Sequence, residues 1–173
     1  LTHHHNDHTA GVKDILNYTS VPVYSPDKRI YGTTKVVGQD DQIDLNFIKM
    51  DVIETPGHTL DHVVFYSQIH KILFSGDTLF RLGCGRVFEG TYEQMFASLE
   101  KIKKLPPKTK IYCGHEYTLQ NSKFCITYDG ENLNLIKKIQ EIKEKLTKNK
   151  PTIPSTIEEE LKNNIFLRSN NDK

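Results

Sequence analysis

The chain has no tryptophan, only two methionines and only three cysteines in 173 residues. Cys84, Cys113 and Cys125 are too scattered for a C-x-x-C pair, which excludes a thiolate metal knot. Unpaired thiols in so small a number point to a reducing compartment. An excess of one charge is also lacking: 23 Lys and Arg stand against 22 Asp and Glu, a net charge of +1. Neither nucleic acid nor a membrane surface is therefore expected as the main partner. No apolar run approaches the roughly 18 residues of a membrane span, and no signal or transit peptide is visible. A Gly-x-Ser-x-Gly elbow is absent, so no serine nucleophile is indicated. Hydrophobic residues make up 36%, enough for one core, or for a domain with a small appendage.

What the chain does have is histidine in a pattern. Thr2-His3-His4-His5-Asn6-Asp7-His8 has the form H-x-H-x-D-H. In extended chain, residues two apart share a side, so His3 and His5 can reach one metal. Asp7 and His8 can then face a second, while His4 and Asn6 point away. Neutral imidazole and carboxylate suit zinc, iron or manganese. A tag remnant is the bland reading of three adjacent histidines. It accounts neither for the following Asp7 and His8 nor for what lies downstream.

Three times downstream, a short apolar run ends in glycine plus a ligand-type side chain. Phe47–Ile53 leads to Glu54-Thr55-Pro56-Gly57-His58. Lys71–Phe74 leads to Ser75-Gly76-Asp77, and Lys110–Tyr112 leads to Cys113-Gly114-His115. Such runs read as strands, and glycine lets the loop turn sharply at a site. Five imidazoles and two carboxylates suffice for two metal ions, a combination typical of hydrolysis by an activated water. His62 follows His58 by four residues, but Val63–Tyr66 reads as strand, so a supporting role is favoured over ligation. His70 reads as solvated. Cys113 reads as a packed thiol, and Cys84 as structural.

The segments THHHNDH, TPGHT, FSGDTLF, GCGR with FEGT, CGHEYT, PTIPST and FLR together resemble the metallo-β-lactamase superfamily. Within it, they are most similar to the glyoxalase II, or hydroxyacylglutathione hydrolase, family. The resemblance runs from Thr2 to about Arg168. It implies an α/β fold, the αβ/βα sandwich of two mixed sheets with helices outside, plus a small C-terminal helical domain. The expected division is 1–117 for the catalytic domain and 118–173 for a glutathione-binding helical domain. His3, His5 and His58 match the ligands of one metal. Asp7, His8 and His115 match those of the other, and Asp77 matches the bridging carboxylate. Asp7 and Asp77 are the expected catalytic carboxylates. Arg86, Val87, Phe88, His115, Glu116 and Tyr117 are the implied substrate-binding stretch, with Phe88 where the family often has Tyr. Family members carry several strands ahead of the metal motif, and this sequence begins at the motif, so an incomplete first sheet is expected.

The implied reaction is hydrolysis of S-2-hydroxyacylglutathione, chiefly S-D-lactoylglutathione, to glutathione and D-lactate by a hydroxide held between two metals. This is the second step of methylglyoxal detoxification. The implied cofactors are two divalent ions, Zn²⁺ foremost, with iron or a mixed pair open. The partner is a small glutathione thioester, with no obligate protein partner evident. A cytoplasmic location is expected, and an organellar form stays open. The competing readings are a persulfide dioxygenase, a lactonase or a β-lactamase of the same superfamily, or an inactive metal-binding fragment.

Two helices are legible. Thr91 and Gln94 form a capping-box pattern ahead of Met95, Leu99 and Ile102 on one face, ending before Pro106-Pro107. Asn132–Lys148 carries Leu135, Ile139, Ile142 and Leu146 on one stripe, with lysines mostly off it and Glu141 and Glu144 between them. Residues 9–18 read as a helix with Val12, Ile15 and Leu16 inward, and Val21–Tyr24 as a short strand. Residues 28–46 read as loop, Pro151–Pro154 as a turn, and Ser155 with Glu158 as the cap of a last short helix.

Overall fold

The computed structural model describes residues 1–169. Its centre is one six-stranded mixed sheet. The strands are β3 (Gln42–Asp44), β4 (Lys49–Glu54), β5 (Val63–Ser67), β6 (Ile72–Gly76), β9 (Lys110–Cys113) and β10 (Ser155–Thr156), in the order β10-β9-β6-β5-β4-β3. Only β6 and β9 run parallel; the other neighbours are antiparallel. Two two-stranded pairs complete the strands: parallel β1 (Tyr24–Ser25) with β2 (Lys35–Val36), and antiparallel β7 (Leu79–Phe80) with β8 (Gly83–Cys84).

β5 shows why the sheet lies inside. All five of its residues are buried, and alternate side chains go to opposite faces. Val64 and Tyr66 join Leu73, Leu79, Ile111, Met95, Leu99, Ile102, Ile157 and Leu167 on one face. Val63 and Phe65 join Val37, Ile43 and Val52 on the other, with Tyr24, Leu45 and Met50 half-buried around them. The first face is covered by α3 (Tyr92–Lys103), α6 (Ile157–Asn163) and a 3-10 turn at Ile165–Leu167. Against the second pack Tyr24 of β1 and Val37 just after β2, and among the described residues no second large sheet lies there.

The expected helices stand with small shifts. α3 has the full Thr91–Gln94 capping box and buries Met95, Leu99 and Ile102. α5 (Leu133–Thr147) is capped by Asn132 and buries Leu135 and Ile142, while Ile139 and Leu146 are half-buried. The cap of α6 is Thr156, which accepts from Glu159 N, not Ser155, which pairs with Ile111 in the sheet. Residues 6–18 form two helices, α1 (Asn6–Thr9) and α2 (Val12–Tyr18). Val12 is buried, but Ile15 is 55% exposed, contrary to its inward assignment. The strand expected at 21–24 is the two-residue β1. α4 (Thr118–Tyr128) was not foreseen; Leu82, Cys125, Leu135 and Ile142 form a separate core beneath α4 and α5.

Strand direction places the site. β4, β6 and β9 point the same way, because two antiparallel steps separate β4 from β6 and one parallel step separates β6 from β9. Their C-terminal ends therefore open at one edge. β5 begins at that edge, and Val63 N donates to Thr2 O at 2.9 Å, which fastens the histidine run there.

Candidate metal centre

The histidine run is not a strand. It is irregular up to His5 and then turns into α1, with His8 N donating to His5 O at 3.0 Å. The turn brings Asp7 and His8 round to the same cluster as His3 and His5. Donor atoms within 4.8 Å of one another make three overlapping groups here: His3, His5 and His58; His3, His8 and Asp77; and Asp7, His8 and His115. All seven expected ligands thus meet at one edge of the sheet.

The atoms face one another as acceptors do around a cation. His58 Nε2 lies 3.1 Å from His5 Nδ1, and His8 Nε2 lies 3.1 Å from His115 Nε2. Asp77 is central: Oδ1 is 3.2 Å from His8 Nε2, and Oδ2 is 3.3 Å from His115 Nε2 and 3.6 Å from His58 Nε2. Asp7 Oδ2 lies 3.2 Å from His115 Nε2 on the exposed side. His3 Nε2 and Asp77 Oδ1 are buried and lack any partner with hydrogen-bond geometry. A buried acceptor without a partner is costly, and divalent cations would satisfy both. The residues present therefore fit a metal pair.

The protonation states of His3 and His58 agree. Burial, with crowding by His62, His8, His58 and His5, pushes His3 far below the usual histidine range. Burial also lowers His58. Neutral imidazole is the ligating form. Burial alone would raise Asp77, but the facing histidines, His8 first, hold its carboxyl below the ordinary value. His8 is raised, chiefly by the facing Asp77 carboxylate.

The supporting contacts are specific. His58 Nδ1 is 2.8 Å from Arg86 O, and Phe88 N donates to His58 O. The backbone at 86–88 therefore orients the His58 ring. His62 is fully buried, and its Nε2 accepts from Asp77 N at 3.0 Å. That requires the proton on Nδ1, which faces the hydroxyls of Thr55 and Thr78, each at 3.0 Å. Burial pushes His62 down to about 3, so the ring stays neutral. Gly76 has φ +48°, and a Cβ there would meet His62 Nε2 at 2.7 Å. A Cβ at Gly114 would meet Asp77 Oδ1 at 2.4 Å. Both glycines let backbone approach the centre closely.

A cavity of about 440 Å³ opens over these ligands. Arg86, Phe88, His115 and Tyr117 line it, and Tyr117 stacks on His115 with ring centroids 4.9 Å apart. Val87 does not line it but packs against the core beside α3. Glu116 turns elsewhere, accepting from Thr118 Oγ1 and from Thr152 N and Oγ1. Phe80, Gln120 and Asn121 also line the cavity and escaped the sequence reading. The last two sit on α4, which had no legible start. Cys84 and Cys113 are pushed by burial up to about 12 and about 11, so neither offers a thiolate. His70 is exposed and lies 3.0 Å from Ser67 Oγ.

Residues 1–115 match the family model of the metallo-beta-lactamase superfamily, and residues 116–173 that of the hydroxyacylglutathione hydrolase C-terminus. The chain is 55% identical over 99% of its length to a hydroxyacylglutathione hydrolase of Pelagibacter ubique, covering 73% of that protein. It is 44% identical over 96% of its length to one of Nitrosomonas eutropha, covering 66%. The chain thus spans about two thirds to three quarters of the length of these relatives. Among solved structures, the BLEG-1 B3 metallo-beta-lactamase superposes with a TM-score of 0.67 at 26% identity, over 96% of this chain and 75% of that one. Divalent-metal binding goes with the superfamily, and the His and Asp groups above accommodate it. No helix among the described residues is long and apolar enough to cross a membrane. By these matches, the chain belongs to the hydroxyacylglutathione hydrolase family of the metallo-beta-lactamase superfamily.

Proposed function

We propose that this chain hydrolyses the thioester of S-2-hydroxyacylglutathione, chiefly S-D-lactoylglutathione, to glutathione and D-lactate. The observation that carries the reading is the union of seven ligands at one sheet edge with the helical segment of this family. His3, His5 and His58 would hold one divalent ion and Asp7, His8 and His115 the other, with Asp77 between them. When bound, such a pair supplies Lewis acidity toward the thioester carbonyl and lowers the pKa of water, to about 7 for a single zinc. Zinc is the ion we favour, with iron compatible with the same donors.

The chain's own groups do the rest. Asp7 is on the exposed side and can hold the attacking water by a hydrogen bond. Arg86 and Tyr117 border the cavity and suit the carboxylates and amides of glutathione. Phe88 supplies an apolar wall without the hydroxyl of Tyr. Val87 and Glu116 act on the substrate only through the loops they anchor. We take 1–117 as the catalytic unit and 118–173 as the helical unit that shapes the glutathione side. The free thiols at Cys84, Cys113 and Cys125 suit work in the cytoplasm.

The test is loss of thioester absorbance of S-D-lactoylglutathione with zinc supplied. Turnover that a chelator stops supports the reading. Zinc-replete protein that binds two ions and cleaves no glutathione thioester overturns it.

A further inference from the structure

His4 stands outside the centre just described. Its Nδ1 lies 2.9 Å from Asp61 Oδ1 and its Nε2 3.1 Å from Glu89 Oε1. Both carboxylates are anchored: Thr59 Oγ1 donates to Asp61 Oδ1 at 2.6 Å, and Leu60 N donates to Glu89 Oε2 at 3.0 Å. An ionised carboxylate only accepts, so Asp61 fixes a proton on Nδ1. Nε2 faces the Glu89 carboxylate, and either the ring's own proton or a metal ion that replaces it can stand between them. Carboxylate, histidine and metal in a row is a recurrent arrangement, in which the carboxylate sets the tautomer and strengthens the ligand.

The third donor is at hand. His4, His5 and Glu89 bring one ligand atom each within 4.8 Å of one another. Ligands of a tetrahedral zinc stand roughly 3.3 Å apart, and Glu89 is exposed enough to close the difference. A cavity of about 490 Å³ lined by Asp27, Arg29, Asp61 and Glu89 gives access from solvent. The Arg29 guanidinium there is tied to Asp27, Nε to Oδ2 at 2.7 Å.

We propose that His4, His5 and Glu89 form a third, weaker site for a divalent metal, and that filling it inhibits the hydrolase. Inhibition follows because His5 is shared with the centre, so an outer ion draws away a ligand of the first metal. The proposal rests on the two-metal reading above.

Zinc is titrated into chelator-stripped protein, with bound metal counted by equilibrium dialysis and hydrolysis followed on the same samples. Two equivalents should bind as activity rises, and a third should bind as activity falls. His4→Ala and Glu89→Gln should keep the first two equivalents and lose the third, moving inhibition to about tenfold higher zinc or beyond. Saturation at two equivalents, or inhibition at unchanged zinc in both variants, overturns the proposal. If two equivalents bind without any hydrolysis, the thioesterase reading falls instead, and the third equivalent with its loss in the variants still decides the outer site.

Discussion

Around Asp77 acceptor faces acceptor; around Arg81 each acceptor faces a donor. Both clusters are buried and polar, and both tie distant segments together. In the second, Arg81 donates through Nη1 to Thr152 O, and Thr152 Oγ1 also reaches Thr118 Oγ1 at 2.6 Å. Glu160 accepts from Leu82 N at 2.8 Å and from Asn164 Nδ2 at 3.0 Å. Among the described residues of that network, only Arg81 Nε lacks a partner. The contrast separates two uses of buried polarity. A network closed within the chain holds the C-terminal helices against the β7–β8 turn and the loop after His115. A cluster left open within the chain is one that cations from outside would complete.

Breaking the open cluster should have the largest effect. Asp77→Asn removes charge at the point where three histidines converge. Hydrolysis should fall by more than the roughly 100-fold typical of losing a mere supporting partner, with circular dichroism unchanged. Retained turnover would show that Asp77 is not central.

Next in size is the support beneath it. His62→Ala removes the acceptor of Asp77 N and should weaken metal affinity by about 10–100-fold, read by competition with a chromophoric chelator. Activity at saturating zinc should largely recover. Unchanged affinity would reduce His62 to packing.

The closed cluster should respond in stability rather than in metal. Thr152→Val leaves Glu116 and Thr118 short of a partner and should cost about 1–3 kcal/mol in urea unfolding. Zinc stoichiometry should not change; loss of one equivalent would mean that the two clusters are coupled through the 115–116 peptide.

The smallest effect is a slope with pH. Burial raises Glu160 above its ordinary 4.5, against the hydrogen bonds of Leu82 N and Asn164 Nδ2. The folded chain then holds a proton that the unfolded chain has released. Stability therefore falls as pH rises from about 4.5 through the raised value. Glu160→Gln should flatten that part of the stability profile; an unchanged slope would assign it to another group.

The sequence by itself determined which His and Asp side chains would gather at one place and the three strand-to-glycine turns that present them. Residue type and spacing are local, and metal chemistry admits few donors. It also determined α3 and α5, where a cap and one apolar stripe agree. Only the tertiary structure decided that the histidine run enters a helical turn, since the groups satisfying it come from β5 and the loops after β4 and β6. α4 stayed hidden because its residues form no clean stripe and Tyr117 gives it no side-chain cap. Its place comes from Cys125 packing against Leu82, Leu135 and Ile142. The last cap sits one residue beyond Ser155, at Thr156, which pairs with Lys110 and still accepts from Glu159 N. The turn of Glu116 away from the cavity came from Thr152, 36 residues along the chain. Such contacts join segments far apart in sequence, and no local pattern records them.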